Sequence, residues 1–166
     1  MNNITLIGMP GAGKSTIGVI LAKSLLCDFT DTDLIIQKKT GKSLCEIIDE
    51  RGTDGFLQLE NDIICGEDFS SCVIATGGSA VFGEEAMAKL KAESTVIFLD
   101  VGVKELEKRL SNIRTRGVAM KEGTTIGELY NERLPYYQRY ADITLDCTCL
   151  TAEECVDRIV EELNNK

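Results

Sequence analysis

The run Gly8-Met9-Pro10-Gly11-Ala12-Gly13-Lys14-Ser15 constrains the fold of this chain more than any other feature. It fits the pattern GxxxxGK[ST], with an apolar strand-like run, Ile4 to Ile7, directly before it and a helical pattern from Ser15 to Leu26 after it. Glycines let a backbone wrap closely around a phosphate and point its N–H groups inward. The helix that opens near Lys14 adds its positive end. Lys14 is expected to reach the β and γ phosphates of a nucleotide and Ser15 to ligate magnesium. Gly11, Ala12, Gly13 and Thr16 complete the expected nucleotide-binding set. ATPases, GTPases and kinases share such a loop, so it does not fix the reaction.

The rest of the chain alternates strand and helix. Strands are predicted at Phe29 to about Asp31, Cys72 to Ala75, Val96 to Leu99 and Ile143 to Leu145. Helices are predicted at Asp33–Thr40, Ser43–Arg51, about Gly55–Cys65, Val103–Leu110, from Thr125 toward Arg139, and from Thr151 to the end. Ser43 with Glu46, Thr125 with Glu128, and Thr151 with Glu154 have the spacing of capping boxes. Residues 79–95 receive no element, and residues 111–124, with Gly117 and Gly123, read as a mobile loop. Near-continuous apolar strands separated by helices imply a three-layer α/β fold, a parallel sheet with helices on both faces. Its ligands are expected at the carboxyl ends of the strands. No repeat or linker divides the chain, so residues 1–166 are expected to form a single domain.

Composition narrows the partners. The formal net charge of −9 disfavours nucleic acid, while a local nest of N–H groups still accepts a nucleotide's phosphates. No apolar stretch has the length of a membrane span and no leader is recognised, so the chain is expected to be cytoplasmic. The 7 cysteines lack CxxC spacing and are expected to be reduced and mostly buried. With 0 histidines, acid–base work falls to carboxylates.

Asp31 and Asp33 follow the second strand. Alternate residues of an extended segment point the same way, so both carboxylates can face the phosphate loop, one toward magnesium and one toward a substrate hydroxyl. By itself the pair reads equally as a solvated acidic turn, with Asp28 nearby.

The phosphate loop, FTDTD at 29–33, TGKSLCEI at 40–47, VIATGGSAV at 73–81, an arginine-bearing loop and ERLPYYQRYAD at 132–142, in this order, resemble the shikimate kinase family over nearly the whole chain. The resemblance implies a P-loop nucleoside-triphosphate kinase fold that binds ATP and Mg2+ and phosphorylates a small hydroxylated acceptor, shikimate or a close relative. It implies that Asp31 holds magnesium through water and that Asp33 binds the substrate hydroxyl and helps take its proton. Gly77 and Gly78 approach the substrate ring, and Arg133 grips its carboxylate. Arg109 stacks on adenine, and Arg116, with Arg114 as the alternative, closes over the transferring phosphate from a lid at about 111–124. A monomer is expected.

The sequence departs from the family in three places. Leu57 follows Phe56 where a second carboxylate-binding arginine is usual, the triple glycine becomes Gly77-Gly78-Ser79, and the lid's arginine-proline becomes Arg116-Gly117. Arg51 or Lys42 stands as a possible substitute for the missing arginine. Three further readings stay open: a kinase for a different hydroxylated metabolite, a nucleotide-binding regulatory module, and magnesium held by Asp100 at the end of an apolar strand. No NKxD-like guanine motif is present, which disfavours a GTP switch.

Overall fold

The computed structural model describes residues 3–110, 118–120 and 123–165. Five strands, β1 (Asn3–Ile7), β2 (Asp28–Asp31), β3 (Cys72–Ala75), β4 (Ser94–Asp100) and β5 (Ile143–Asp146), form one parallel sheet in the order β2-β3-β1-β4-β5. Every residue of β1 and β3 is buried, as a strand covered on both faces must be, whereas the edge strand β5 alternates buried and exposed.

The helices are α1 (Lys14–Leu25), α2 (Thr32–Thr40), α3 (Leu44–Cys65), α4 (Glu84–Glu93), α5 (Val103–Arg109), α6 (Ile126–Tyr140) and α7 (Ala152–Asn164). They surround the sheet: α1 packs with α7 and β3, while α3 packs with α4, and α4 and α6 lie against β4. All three capping boxes form, at the starts of α3, α6 and α7. In each, the glutamate Oε2 accepts from the cap residue's N–H at 2.8 Å. The two helices predicted across residues 43–65 meet at a kink within α3, at Gly52, whose φ of 70° and ψ of 174° are not helical.

Two expectations need correction. The unassigned stretch contains α4, which begins at Gly83 without a side-chain cap and buries only Ala86, Met87 and Leu90, so it lacks both a start signal and a long apolar stripe. The cysteines are free thiols, but only Cys72, Cys147 and Cys155 are buried, and Cys149 is exposed.

The chain passes from β3 on one side of β1 to β4 on the other, which opens a crevice at the carboxyl ends of these strands. Register places two glycine loops side by side there. Leu6 pairs with Ala75, and the next residue, Thr76, donates its N–H to the Leu6 carbonyl at 3.2 Å. No described helix is long and apolar enough to cross a membrane.

Candidate active site

The phosphate loop spans the gap between β1 and α1. Gly13 caps α1 at φ 95°, a left-handed conformation that glycine adopts without strain, and no side chain closes the helix start. The first-turn N–H groups are thus left for an anion. The Lys14 side chain folds back over the loop, its Nζ donating to the carbonyls of Gly8 at 2.8 Å and Met9 at 2.9 Å. Burial pulls the Lys14 pKa down to about 8, against the attraction of Asp33 and with the added repulsion of Arg133.

Asp31 ends β2 and also caps α2. Its Oδ1 accepts the Asp33 N–H at 3.0 Å and its Oδ2 accepts the Ser15 hydroxyl at 2.5 Å. The two carboxylates do not sit on one extended segment, because the chain turns helical at Thr32. They converge on the phosphate loop because the capping residue of α2 reaches Ser15 while the first turn of α2 turns Asp33 into the cleft. Burial, then repulsion from Asp31, pushes the Asp33 carboxyl up to about 6, opposed by Lys14.

Opposite the loop lies a second cluster, the acceptor end of the cleft. A Cβ on Gly77 would collide with carboxylate oxygens of Glu60 and Asp33, and one on Gly78 would lie 2.7 Å from Pro10 Cδ and 2.8 Å from Arg133 Nη1. A side chain at either position would displace these groups. The Gly77 N–H donates to Thr32 Oγ1 at 3.1 Å, and Tyr137 donates its hydroxyl to the Gly78 carbonyl at 2.7 Å. Arg133 is only 1% exposed, so it is no surface ion-pair residue. Its Nη2 donates to the Ala119 carbonyl at 2.6 Å, and its guanidinium lies 5.6 Å from the Phe82 ring centre. Glu60 is also 1% exposed, with Oε2 accepting the Ser79 hydroxyl at 2.7 Å.

Lys14, Asp33, Gly77, Gly78, Ser79 and Arg133 line one cleft of about 800 Å³, and Glu60 is absent from its lining. Arg109 lies at its other end, near Cys147, Leu150 and Ala152, with Nε donating to Glu105 at 3.0 Å and Nη1 reaching the Gly11 carbonyl at 3.5 Å. Asp100 is absent from the lining, and it accepts the Tyr130 hydroxyl at 2.9 Å. Burial and this bond push the Tyr130 phenol up to about 12. Arg114, Arg116 and Gly117 lie outside the described residues.

A family profile described as shikimate kinase matches residues 10–164. The shikimate kinase of Thermodesulfovibrio yellowstonii is 35% identical over 165 residues, covering 98% of this chain and 95% of that one. The shikimate kinase of Haemophilus influenzae (strain PittEE) is 36% identical over 167 residues, covering 98% and 93%. The chain belongs to the shikimate kinase family. The solved structures agree. Shikimate kinase from Acinetobacter baumannii in complex with shikimate superposes with a TM-score of 0.90 at 29% identity, covering 100% of this chain and 95% of that one. The enzyme from Aquifex aeolicus gives 0.81 at 30%, covering 98% and 96%. The chain is thus an ATP-dependent kinase of the P-loop fold.

Two departures from the shikimate kinase pattern acquire a structural meaning. Ser79 is more than a small change, since its hydroxyl holds Glu60. Leu57 is missing from the lining of the main cleft and lines a neighbouring depression with Asp54, Gln58, Asn61 and Phe82. Neither suggested substitute reaches the acceptor end: Lys42 pairs with Glu50 on the surface, and Arg51 is exposed. Glu60, buried beside Gly77 and Asp33, is a residue that the sequence does not single out. Its signal was available, because Phe56, Glu60, Ile63 and Ile64 share the buried face of α3, and a carboxylate on such a stripe demands a partner.

Proposed function

We propose that this kinase transfers the γ-phosphate of ATP to a hydroxyl of shikimate, giving shikimate 3-phosphate. The observation that carries this reading is the convergence of Lys14, Asp33, Gly77 and Arg133 on one cleft from α1, α2, the loop after β3 and α6. Lys14 offsets charge on the transferring phosphate. Asp33 orients the acceptor hydroxyl and takes its proton, with a carboxyl that is ionised near neutral pH yet basic enough to serve. Gly77 and Gly78 let the acceptor ring approach the backbone, and Arg133 pairs with its carboxylate. Gly11, Ala12, Gly13 and Thr16 hold the nucleotide's phosphates, and Arg109 packs on the base. Arg116 closes over the phosphate from the lid.

Ser15 and Asp31 fit a magnesium ion, since a hydroxyl and a carboxylate already meet at 2.5 Å beside the phosphate loop. Magnesium bound there would neutralise charge on the β and γ phosphates. The same reading takes residues 1–166 as one domain and the protein as a cytoplasmic monomer. Its exposed large apolar side chains, Val19, Leu26, Leu34 and Tyr136, are scattered over different elements.

The test is ADP release from Mg-ATP with and without shikimate. Strong stimulation by shikimate is expected. ATP binding with no stimulation at any shikimate concentration would overturn the acceptor assignment.

A further inference from the structure

Gly77 and Gly78 line the acceptor end of the cleft, yet glycines by themselves do not fix a backbone, since each has more conformations open to it than any other residue. Two side chains from outside the cleft hold these peptide groups. The Gly77 N–H donates to Thr32 Oγ1 at 3.1 Å, and Tyr137 donates its hydroxyl to the Gly78 carbonyl at 2.7 Å. Thr32 opens α2 and Tyr137 lies near the end of α6, so the loop after β3 is tied to two separate helices. Both residues are 0% exposed, and neither lines the cleft.

Tyr137 is itself held in place. Its ring stacks on Phe98 of β4, with centroids 4.9 Å apart and planes 19° from parallel. A fully buried ring in such a stack has little freedom to turn, so the packing of α6 on β4 sets where its hydroxyl points. Arg133 precedes Tyr137 by four positions on α6, and residues four apart share a helix face. A Cβ on Gly78 would lie 2.8 Å from Arg133 Nη1, so the guanidinium rests against the backbone that Tyr137 holds. One turn of α6 thus carries both the cation of the acceptor end and the hydroxyl that fixes the glycine beside it. Without that hydroxyl the Gly78 carbonyl loses this partner, and a glycine peptide turns readily to find another.

We propose that Tyr137 and Thr32 are positioning residues for the acceptor: their hydroxyls hold the Gly77–Gly78 backbone, the surface that the acceptor ring meets, in register with Arg133. The proposal rests on the shikimate reading of the cleft. Both bonds end on the acceptor side, so their loss belongs in KM for the acceptor rather than in KM for ATP.

Steady-state kinetics of three variants tests it, run well below the unfolding temperature of each so that lost stability alone moves neither KM. Tyr137→Phe keeps the ring stack and removes only the hydroxyl. It is expected to raise KM for shikimate about tenfold, with kcat and KM for ATP within about twofold of wild type. Thr32→Val, which keeps the shape without the hydroxyl, is expected to show the same split, and Thr32→Ser, which retains a hydroxyl, to keep KM for shikimate within about twofold of wild type. A Tyr137→Phe protein that unfolds at a lower temperature yet keeps the wild-type KM for shikimate overturns the proposal, as does an equal rise in both KM values. If Tyr137→Phe does not fold, the Thr32 pair decides, and equal KM values for shikimate in Thr32→Val and Thr32→Ser overturn it. Absence of shikimate turnover by the wild-type protein would instead overturn the acceptor assignment and the proposal with it.

Discussion

The hydroxyl of Ser15 donates to Oδ2 of Asp31 at 2.5 Å, tying the first turn of α1 to the end of β2, while Oδ1 of the same carboxylate caps α2. One side chain thus serves the proposed metal site and the helix that carries Asp33. Asp31→Ala is expected to weaken magnesium-dependent nucleotide binding and, through the lost cap, to destabilise the fold by about 1 kcal/mol. Urea unfolding and a magnesium titration of ATP binding separate the two effects. Full stability in the variant would show that the cap contributes nothing.

Asp33→Asn should lower kcat by roughly 10²- to 10⁴-fold, the range for loss of a positioned general base. ATP affinity should change far less, since the loop holds the phosphates through backbone groups and Lys14. Steady-state kinetics alongside equilibrium nucleotide binding checks this, and an unchanged kcat removes the assigned role.

Leu57→Arg places a cation three residues from Glu60 on α3, close enough to interact along one helix face. A charge-assisted contact to the acceptor carboxylate would lower KM for shikimate by roughly 10- to 100-fold. If KM does not move, the side chain at this position turns into the neighbouring depression beside Asp54 rather than toward the acceptor.

Stability carries a signature of Glu60. Its carboxyl titrates at about 7 in the folded chain against an ordinary 4.5, so between these values the folded state binds more protons than the unfolded one. Stability should therefore fall as pH rises through that window, and the full deficit is reached above pH 7. Such a shift corresponds to about 3 kcal/mol. Glu60→Gln is expected to gain that much over wild type in urea unfolding at pH 8 and to lose the advantage at pH 4. An equal difference at both pH values would show that the carboxyl's ionisation plays no part.

Leu26 terminates α1 at φ 54° with its side chain 93% exposed. Cys27 N–H bonds to the Ala22 carbonyl at 3.1 Å and Leu26 N–H to the Lys23 carbonyl at 3.4 Å, a Schellman geometry that usually employs glycine. Leu26→Gly should raise stability by on the order of 0.5–1 kcal/mol with no change in turnover. A loss of stability in thermal unfolding would show that the leucine makes a contact of its own.

The phosphate loop, the three capping boxes and the alternation that yields a parallel sheet are legible in the chain's residues alone, because each is written within a few neighbouring positions. Asp31 and Asp33 were legible for the same reason, although the helical cap that brings them together was not. Which distant residues come together beside the phosphate loop follows from packing alone. Glu60 meets Ser79 across 19 positions and Tyr137 meets Gly78 across 59, and such contacts depend on how helices settle against the sheet. Local pattern is likewise silent on the partner of Asp100, which packing supplies as the Tyr130 hydroxyl. Periodicity puts Glu60 on the buried face of α3, but burial, the unpaired Oε1 and the neighbouring Asp33 are properties of the packed chain, and they set its charge.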